Sequence, residues 1–219
     1  MNISDEKKAY HRLIEQKLPF SGGTQLLMNG RFSIGQIFKS MNLCEIVMDY
    51  SYLPKNVQDE AKRIYLTLSN LLVALPTGNG VFVATCNRQL SEELLRIAYF
   101  KLVDPVFDPK AYLSFQNLWD KGLKRQRKAT DELMNTWCQL ASMFKENSIL
   151  LHNITSSDKS TIEYLDNLIS FSSIQSIQTV NSYIRTTYNY LIYHIPSVLE
   201  LKPELMTISQ KAEYKKFIQ

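Results

Sequence analysis

The sequence is short of the residues that make tight turns. Its 219 residues include only seven glycines and seven prolines, about half the number that average usage would give. Folds built from many short strands need frequent turns between those strands. The scarcity of turn-forming residues therefore favours long helices.

Cysteine is scarce as well, and the cysteines that occur form no pattern. Cys44, Cys86 and Cys138 are odd in number and widely separated. A disulfide framework needs an even set, and a zinc site needs ligands at close, paired spacing. We interpret the three as small apolar side chains in a reducing compartment and predict no metal site.

Long apolar runs are missing. The densest apolar stretch, residues 71–75, is far shorter than the ~20 residues that cross a bilayer. The charged first residues of the chain lack the apolar region of a signal peptide. We therefore predict a cytoplasmic protein without a membrane partner.

Motifs for cofactor binding and for nucleophilic catalysis are also missing. Gly78-Asn79-Gly80 lacks the Gly-Lys-Ser/Thr ending of a phosphate-binding loop, and no Gly-x-Ser-x-Gly sequence occurs. We predict no cofactor and no catalytic residue, so the sequence favours binding over enzymatic activity.

What the sequence does contain is a core-forming composition with helical spacing. The chain is 45% hydrophobic and 21% charged, which is typical of a globular protein. Apolar residues recur at steps of three and four, the spacing of an amphipathic helix. This spacing predicts helices over 5–17, 57–75, 81–103, 123–145 and 172–194, among shorter ones. Asn56 is predicted to cap the second of these helices.

Together these patterns predict an all-α fold. We expect a bundle of six to eight helices. Residues 1–50 are predicted to form an appended helical arm, and residues 51–219 the main bundle.

The helix predicted over 81–103 has apolar residues on two sides. One face has six of them: Val83, Cys86, Leu90, Leu94, Ile97 and Ala98. The opposite side has Val81, Leu95 and Tyr99 among three charged residues: Arg88, Glu92 and Arg96. A helix that is apolar on two sides is usually enclosed by its neighbours.

Charges on an enclosed helix are costly unless they are paired. Arg88, Glu92 and Arg96 are four residues apart, so we expect the middle carboxylate to bond both guanidinium groups. Two interpretations of this polar cluster stay open. It is either a structural ion ladder or the lining of a groove or dimer seam.

The segment from Arg88 to Tyr99, RQLSEELLRIAY, resembles the Arg-x-x-x-Glu-x-x-x-Arg helix of bacterial all-α proteins related to the HEPN superfamily. Members of that superfamily include toxins, abortive-infection proteins and other phage-defence components. The resemblance covers roughly residues 55–170. It implies a HEPN-like helical fold and a role in bacterial defence.

One departure from the superfamily concerns its ribonuclease motif. Active HEPN ribonucleases have an Arg, then four to six residues, then a His. None of His11, His152 and His194 follows an arginine at that spacing. The resemblance therefore implies a catalytically silent member, although His152 or Lys145 stands near the position of the family histidine.

A basic run occupies residues 121–128. Its cations are Lys121, Lys124, Arg125, Arg127 and Lys128. With Phe115 and Trp119 nearby, one interpretation is contact with RNA or DNA through phosphates and base stacking. The other is a solvated helix face. We place the run at the start of the helix over 123–145, where positive charge opposes the helix dipole and so hints at a functional use.

Four tyrosines crowd the helix predicted over 172–194: Tyr183, Tyr188, Tyr190 and Tyr193. Tyrosine combines an apolar ring with a polar tip, which suits protein interfaces. They are candidate interface residues, with packing at the edge of the core as the alternative.

Three functions remain in competition. The first is a non-catalytic accessory or regulatory subunit of a phage-defence-type complex, whose partner is another protein subunit or a second copy of the chain. The second is a nucleic-acid-binding protein that uses the basic run. The third is a diverged ribonuclease built from Arg88, Glu92 and Arg96 with His152 or Lys145.

Overall fold

A computed structural model describes residues 3–107, 113–127, 129–155 and 175–218 of the chain. Every regular element in these ranges is helical, which confirms the all-α prediction. The α-helices of these ranges are α1 (Ile3–Lys17), α2 (Gly22–Met28), α3 (Ile34–Asp49), α4 (Lys55–Thr77), α5 (Gly80–Leu102), α6 (Asp131–Thr155), α7 (Ile177–Asn189), α8 (Ile195–Val198) and α9 (Ile208–Ile218).

Nine α-helices in the described ranges exceed the predicted six to eight. Two of them, α2 and α8, have only seven and four residues, too few for a periodic apolar pattern to show. The described ranges also contain two π-helices, Asn117–Gly122 and Tyr190–His194, and two 3-10 helices, Leu123–Arg125 and Pro203–Leu205. None of the helices described is both long enough and apolar enough for a bilayer crossing.

The centre of the fold is the pair α4 and α5, two helices of 23 residues each. Gly78 ends α4 in the left-handed conformation, with φ 72°, which glycine adopts without steric cost. The Asn79 side chain then accepts a 2.9 Å hydrogen bond from the Phe82 amide and caps α5. So short a connection turns the chain back on itself and lays α5 along α4.

The prediction that α5 is enclosed is confirmed for its two apolar sides but not for the strip of Thr85, Arg88 and Gln89, which is exposed. Leu94 and Leu95, which lie on different sides of the helix, are both fully buried. Their neighbours differ, because α5 packs on α4 and on α6 and also contacts α7. The two apolar sides of α5 are therefore covered by other helices, while one strip of the helix stays open to solvent.

Residues of the predicted arm share the core of the rest. Helix α3 packs on α4, and Ile37 and Leu43 belong to the same buried cluster as Leu94 and Trp137. The division into a helical arm of residues 1–50 and a main bundle of residues 51–219 stays a prediction. The structure shows that the buried cluster continues across residue 50.

One predicted helix cap and one predicted helix start are wrong. Helix α4 begins at Lys55 after Pro54, so Asn56 lies inside its first turn, where its side-chain amide donates to the Pro105 carbonyl at 3.3 Å. The helix predicted from residue 123 begins at Asp131. Before it, Gly122 packs so closely on Tyr99 that a Cβ would come within 2.6 Å of the ring. This tertiary packing accompanies the irregular segment that precedes α6. The local sequence pattern does not reveal it.

Candidate functional site

A polar cleft of about 490 Å³ lies between α4 and α5, and we call it the carboxyl cleft. Its residues come at three- and four-residue steps from facing sides of the two helices. They are Glu60, Arg63, Leu66, Thr67 and Asn70 of α4 and Gln89, Glu92, Glu93 and Arg96 of α5.

Arg96 sits between two carboxylates of the cleft. Its Nη2 lies 2.5 Å from Oε1 of Glu92, and its Nε lies 3.5 Å from Oε1 of Glu60. The other oxygen of Glu60 lies 3.3 Å from Nη1 of Arg63. The pairing of Arg96 with Glu92 was predicted from the sequence, but its contact with Glu60 of α4 was not.

Arg88 does not join this network, so the prediction that Glu92 bonds both arginines is wrong. Arg88 turns toward α6, where its Nε donates to Ser148 Oγ at 3.0 Å. Its guanidinium carbon lies 4.9 Å from the ring centroid of Phe144. The neighbouring helix offers both a hydrogen-bond acceptor and an aromatic face, and these hold the arginine away from Glu92.

Glu93 is the most deeply placed acceptor of the cleft on α5, with 5% of its surface exposed. Its Oε1 accepts hydrogen bonds from Thr67 Oγ1 at 3.2 Å and from Gln89 Nε2 at 2.9 Å. Its Oε2 is buried and has no hydrogen-bond partner among the described residues. Half of this carboxyl group therefore lacks a hydrogen-bond donor among the described residues.

Burial governs the ionisation of both deep carboxyl groups. Desolvation raises the pKa of Glu60 to about 8, although the Arg96 guanidinium opposes the shift. Desolvation also raises the pKa of Glu93 to about 7 against the hydrogen bonds from Gln89 and Thr67. Both groups exchange protons near neutral pH, a property that is enriched at functional sites.

The sequence analysis missed Glu60 and Glu93. For Glu60 a signal exists, because it is three residues after Val57 and four before Ile64, both of which are fully buried. A charged residue at a core-facing position of an amphipathic helix indicates a buried polar site. Glu93 carries a weaker signal, since its neighbour Glu92 is an equally good candidate in sequence.

The basic run lies before α6 and not at its start. Lys121, Lys124, Arg125 and Arg127 are exposed, and Lys128 lies outside the described residues. Lys124 and Arg125 close a short helical segment at its C-terminal end, where positive charge is favourable. The dipole argument for a functional use of the run is therefore wrong.

The aromatic residues beside the basic run are engaged elsewhere. Trp119 is buried in the core, with 4% exposure. Phe115 stacks on Phe144 with ring centroids 3.7 Å apart. Trp119 cannot serve as a base-stacking platform, and one face of Phe115 is already covered.

The four candidate interface tyrosines divide into two pairs. Tyr190 is fully buried and accepts a 3.1 Å hydrogen bond from Trp137 Nε1. Tyr183 is 8% exposed and donates to Oε2 of Glu146 at 2.6 Å. These two belong to the core, so their assignment to an interface is wrong.

The other pair reaches the surface. Tyr193 is 64% exposed and meets half-buried Tyr188 edge to face, with ring centroids 6.2 Å apart. Lys39 Nζ lies 5.9 Å from the centroid of Tyr188. A protein-binding role for Tyr188 and Tyr193 stays a prediction.

No protein-family model, curated protein or solved structure matches the chain. The resemblance to the HEPN superfamily thus rests on the sequence pattern alone. Within the described ranges, no three His, Cys, Asp or Glu residues are placed to hold a metal ion.

Proposed function

We propose that the protein acts by binding, as a non-catalytic HEPN-like accessory or regulatory subunit of a bacterial phage-defence-type complex. Its partner is another protein subunit or a second copy of the chain. The observation that carries the proposal is the pair of half-buried Tyr188 and exposed Tyr193, of which Tyr188 lines an open groove. The defence setting is supported by the resemblance of residues 88–99.

The groove has the size and chemistry of a docking surface. It encloses about 520 Å³ between α1, α3 and α7, and its floor and rim include Ile3, Lys7, Gln36, Lys39 and Tyr188. Aromatic residues with polar tips are enriched at protein interfaces and in their binding hot spots. Two lysines beside them favour a partner segment that presents carboxylates and apolar side chains.

The polar cluster supports binding over catalysis. Arg96 is paired with Glu92 and Glu60, and Arg88 is held by Ser148 and Phe144. Guanidinium groups that the fold itself engages stabilise a helix packing. In addition, no histidine follows Arg88 or Arg96 at the spacing of the Arg–His pair in active HEPN ribonucleases.

A photo-cross-linking residue at position 193 tests the proposal in cells that naturally make the protein. Tyr52 provides a matched control, because it is also 64% exposed but lies outside the groove. We expect one discrete cross-linked species from position 193 and none from position 52. Equal labelling from both positions, or none from 193, contradicts the proposal.

The basic run supports nucleic-acid binding as a second candidate function. Among the described residues, the exposed cations of the run have one ion pair, Lys124 with Asp120 at 3.9 Å. Unpaired, solvated cations that follow one another along the chain suit a phosphate backbone. Retention of labelled RNA and DNA that falls as salt rises is the expected signature.

The contact between α5 and α6 supports ribonuclease activity at a diverged site as a third candidate function. Arg88 donates to Ser148, and the exposed His152 lies one helical turn further along α6. Lys145 is exposed on the same helix. Metal-free cleavage of RNA that disappears in His152→Ala would favour this activity over the first proposal.

A further inference from the structure

We propose that the carboxyl cleft binds a small primary ammonium ligand, with Glu93 as its main acceptor. The proposal does not depend on the binding function above, because the cleft and the Tyr188–Tyr193 pair share no residue.

An unsatisfied buried oxygen points to a ligand that donates hydrogen bonds. Only 5% of the surface of Glu93 is exposed, yet its Oε2 has no hydrogen-bond partner among the described residues. Leaving a buried polar atom unpaired is costly. The nearby oxygen Oε1 of Glu60 has only the 3.5 Å contact with Arg96 Nε and no hydrogen bond. Two residues that line the cleft thus each have a buried carboxylate oxygen without a donor of normal geometry.

The charge of the cleft also selects a single cation. Three carboxylates and two guanidiniums line it, which leaves one negative charge above pH 8, once Glu60 and Glu93, with pKa values of about 8 and about 7, are ionised. Arg63 and Arg96 are already engaged with Glu60 and Glu92. One ammonium group restores neutrality at that pH, and its three N–H donors are enough for the two unpaired oxygens of Glu93 and Glu60.

The surroundings favour an organic amine over a metal ion. The volume of about 490 Å³ lies in the range of small-molecule sites. Leu66, which is 52% exposed, gives the rim an apolar side chain for a short alkyl group. A divalent metal would meet the two guanidiniums, and no three His, Cys, Asp or Glu residues of the described ranges are placed to hold one.

The test is an NMR titration of the ¹⁵N-labelled full chain with n-butylammonium chloride at constant ionic strength. We expect saturable shifts of the Asn70 and Gln89 side-chain amides at pH 8. Glu93→Gln should weaken binding at least tenfold, whereas the control Glu204→Gln on an exposed carboxylate should not change it. Butanol, which lacks charge, and tetramethylammonium, which lacks N–H donors, should not bind.

The same titration of the unmodified protein at pH 6 and pH 8 avoids any question of folding in the variant. Because the ligand binds ionised Glu93, whose pKa is about 7, affinity should rise about tenfold over this interval. The groups that also influence this carboxyl are Glu60 and Arg63 of α4, Glu92, Arg96 and Cys86 of α5, and Cys44 of α3.

Three outcomes would overturn the proposal. The first is the absence of saturable shifts at pH 8, and the second is equal affinity at pH 6 and pH 8. The third is equal binding of tetramethylammonium, which would indicate general attraction of cations. The cross-linking experiment at Tyr193 is unaffected by any of these results, so the two proposals fail separately.

Discussion

The carboxyl cleft and the basic run hold charge in opposite environments. In the cleft, Glu60 and Glu93 are 1% and 5% exposed, and their ionisation depends on burial and on Arg96. In the run, the side chain of Lys124 is 61% exposed, and its contact with Asp120 is long. Buried charges affect stability strongly, while exposed charges affect it little. How much a dense run of charges contributes to stability therefore cannot be inferred from the sequence until the burial of those charges is known.

The largest test of this contrast removes the central cation of the cleft. Arg96→Leu leaves buried Glu60 with Arg63, whose side chain is 44% exposed, as its remaining cation, and we expect a loss of about 3 kcal/mol in the free energy of unfolding at pH 9. At pH 6 the loss should be smaller, because Glu60, with a pKa of about 8, is then protonated. Urea unfolding at both pH values measures the difference.

Arg88→Leu is the matched control for this variant. It removes a guanidinium from the same helix, two turns earlier, but from an exposed position. We expect a loss of about 1 kcal/mol or less at either pH. Similar losses from the two substitutions would mean that burial does not distinguish these arginines.

The next effect concerns the pH dependence of stability. The pKa of Glu93 is raised from 4.5 to about 7, so between these values the folded chain keeps a proton that the unfolded chain has released. The stability of the protein must therefore fall as pH rises through this window. A shift of this size corresponds to a contribution on the order of 3 kcal/mol.

Glu93→Gln should remove that contribution. We expect its unfolding free energy to fall less than that of the unmodified protein between pH 4.5 and pH 8, as measured by urea titration. The exposed control Glu204→Gln should follow the unmodified protein. Parallel curves for Glu93→Gln and the unmodified protein would contradict the assigned burial.

A smaller effect is expected in the basic run. Replacing Lys121, Lys124, Arg125, Arg127 and Lys128 together by Gln should change stability by no more than about 1 kcal/mol, since solvated charges contribute little. If the nucleic-acid function holds, the same variant loses the salt-dependent retention of RNA and DNA. Unchanged retention would exclude the run as a nucleic-acid surface.

The last prediction concerns the reactivity of the cysteines, which also differ in burial. It involves no change in stability. Cys138 is exposed, whereas Cys44 and Cys86 are buried. Burial raises the pKa of Cys86 to about 12 and also raises that of Cys44. A chromogenic thiol reagent should therefore modify one cysteine rapidly in the folded protein and all three in urea. Rapid reaction of two or three in the folded state would contradict this burial.

Much of the fold was predictable because helix periodicity is a local property. The stripe along α4 and the two apolar sides of α5 were both readable in sequence, and both helices lie within two residues of their predicted bounds. The start of α6 was not readable from local spacing, and the break before it is accompanied by the close packing of Gly122 on Tyr99, a contact between two different segments.

The candidate site was predicted only in part. Glu92 and Arg96 are one turn apart on a single helix, so their pairing follows from spacing. Glu60 comes from another helix, and nothing in the segment around Arg96 identifies it. The tyrosines show the same limit, because the burial of Tyr190 depends on Trp137, which is 53 residues away.

The sequence alone determined the helical class, the burial of two sides of α5 and the Glu92–Arg96 pair, because each follows from spacing along one helix. Only the tertiary structure decided which charges share the carboxyl cleft, where Arg88 turns and which tyrosines remain at the surface. These outcomes depend on contacts such as that of Arg88 with Ser148, 60 residues apart. Such contacts form when helices pack, and packing also sets the burial that gives each charge its energy.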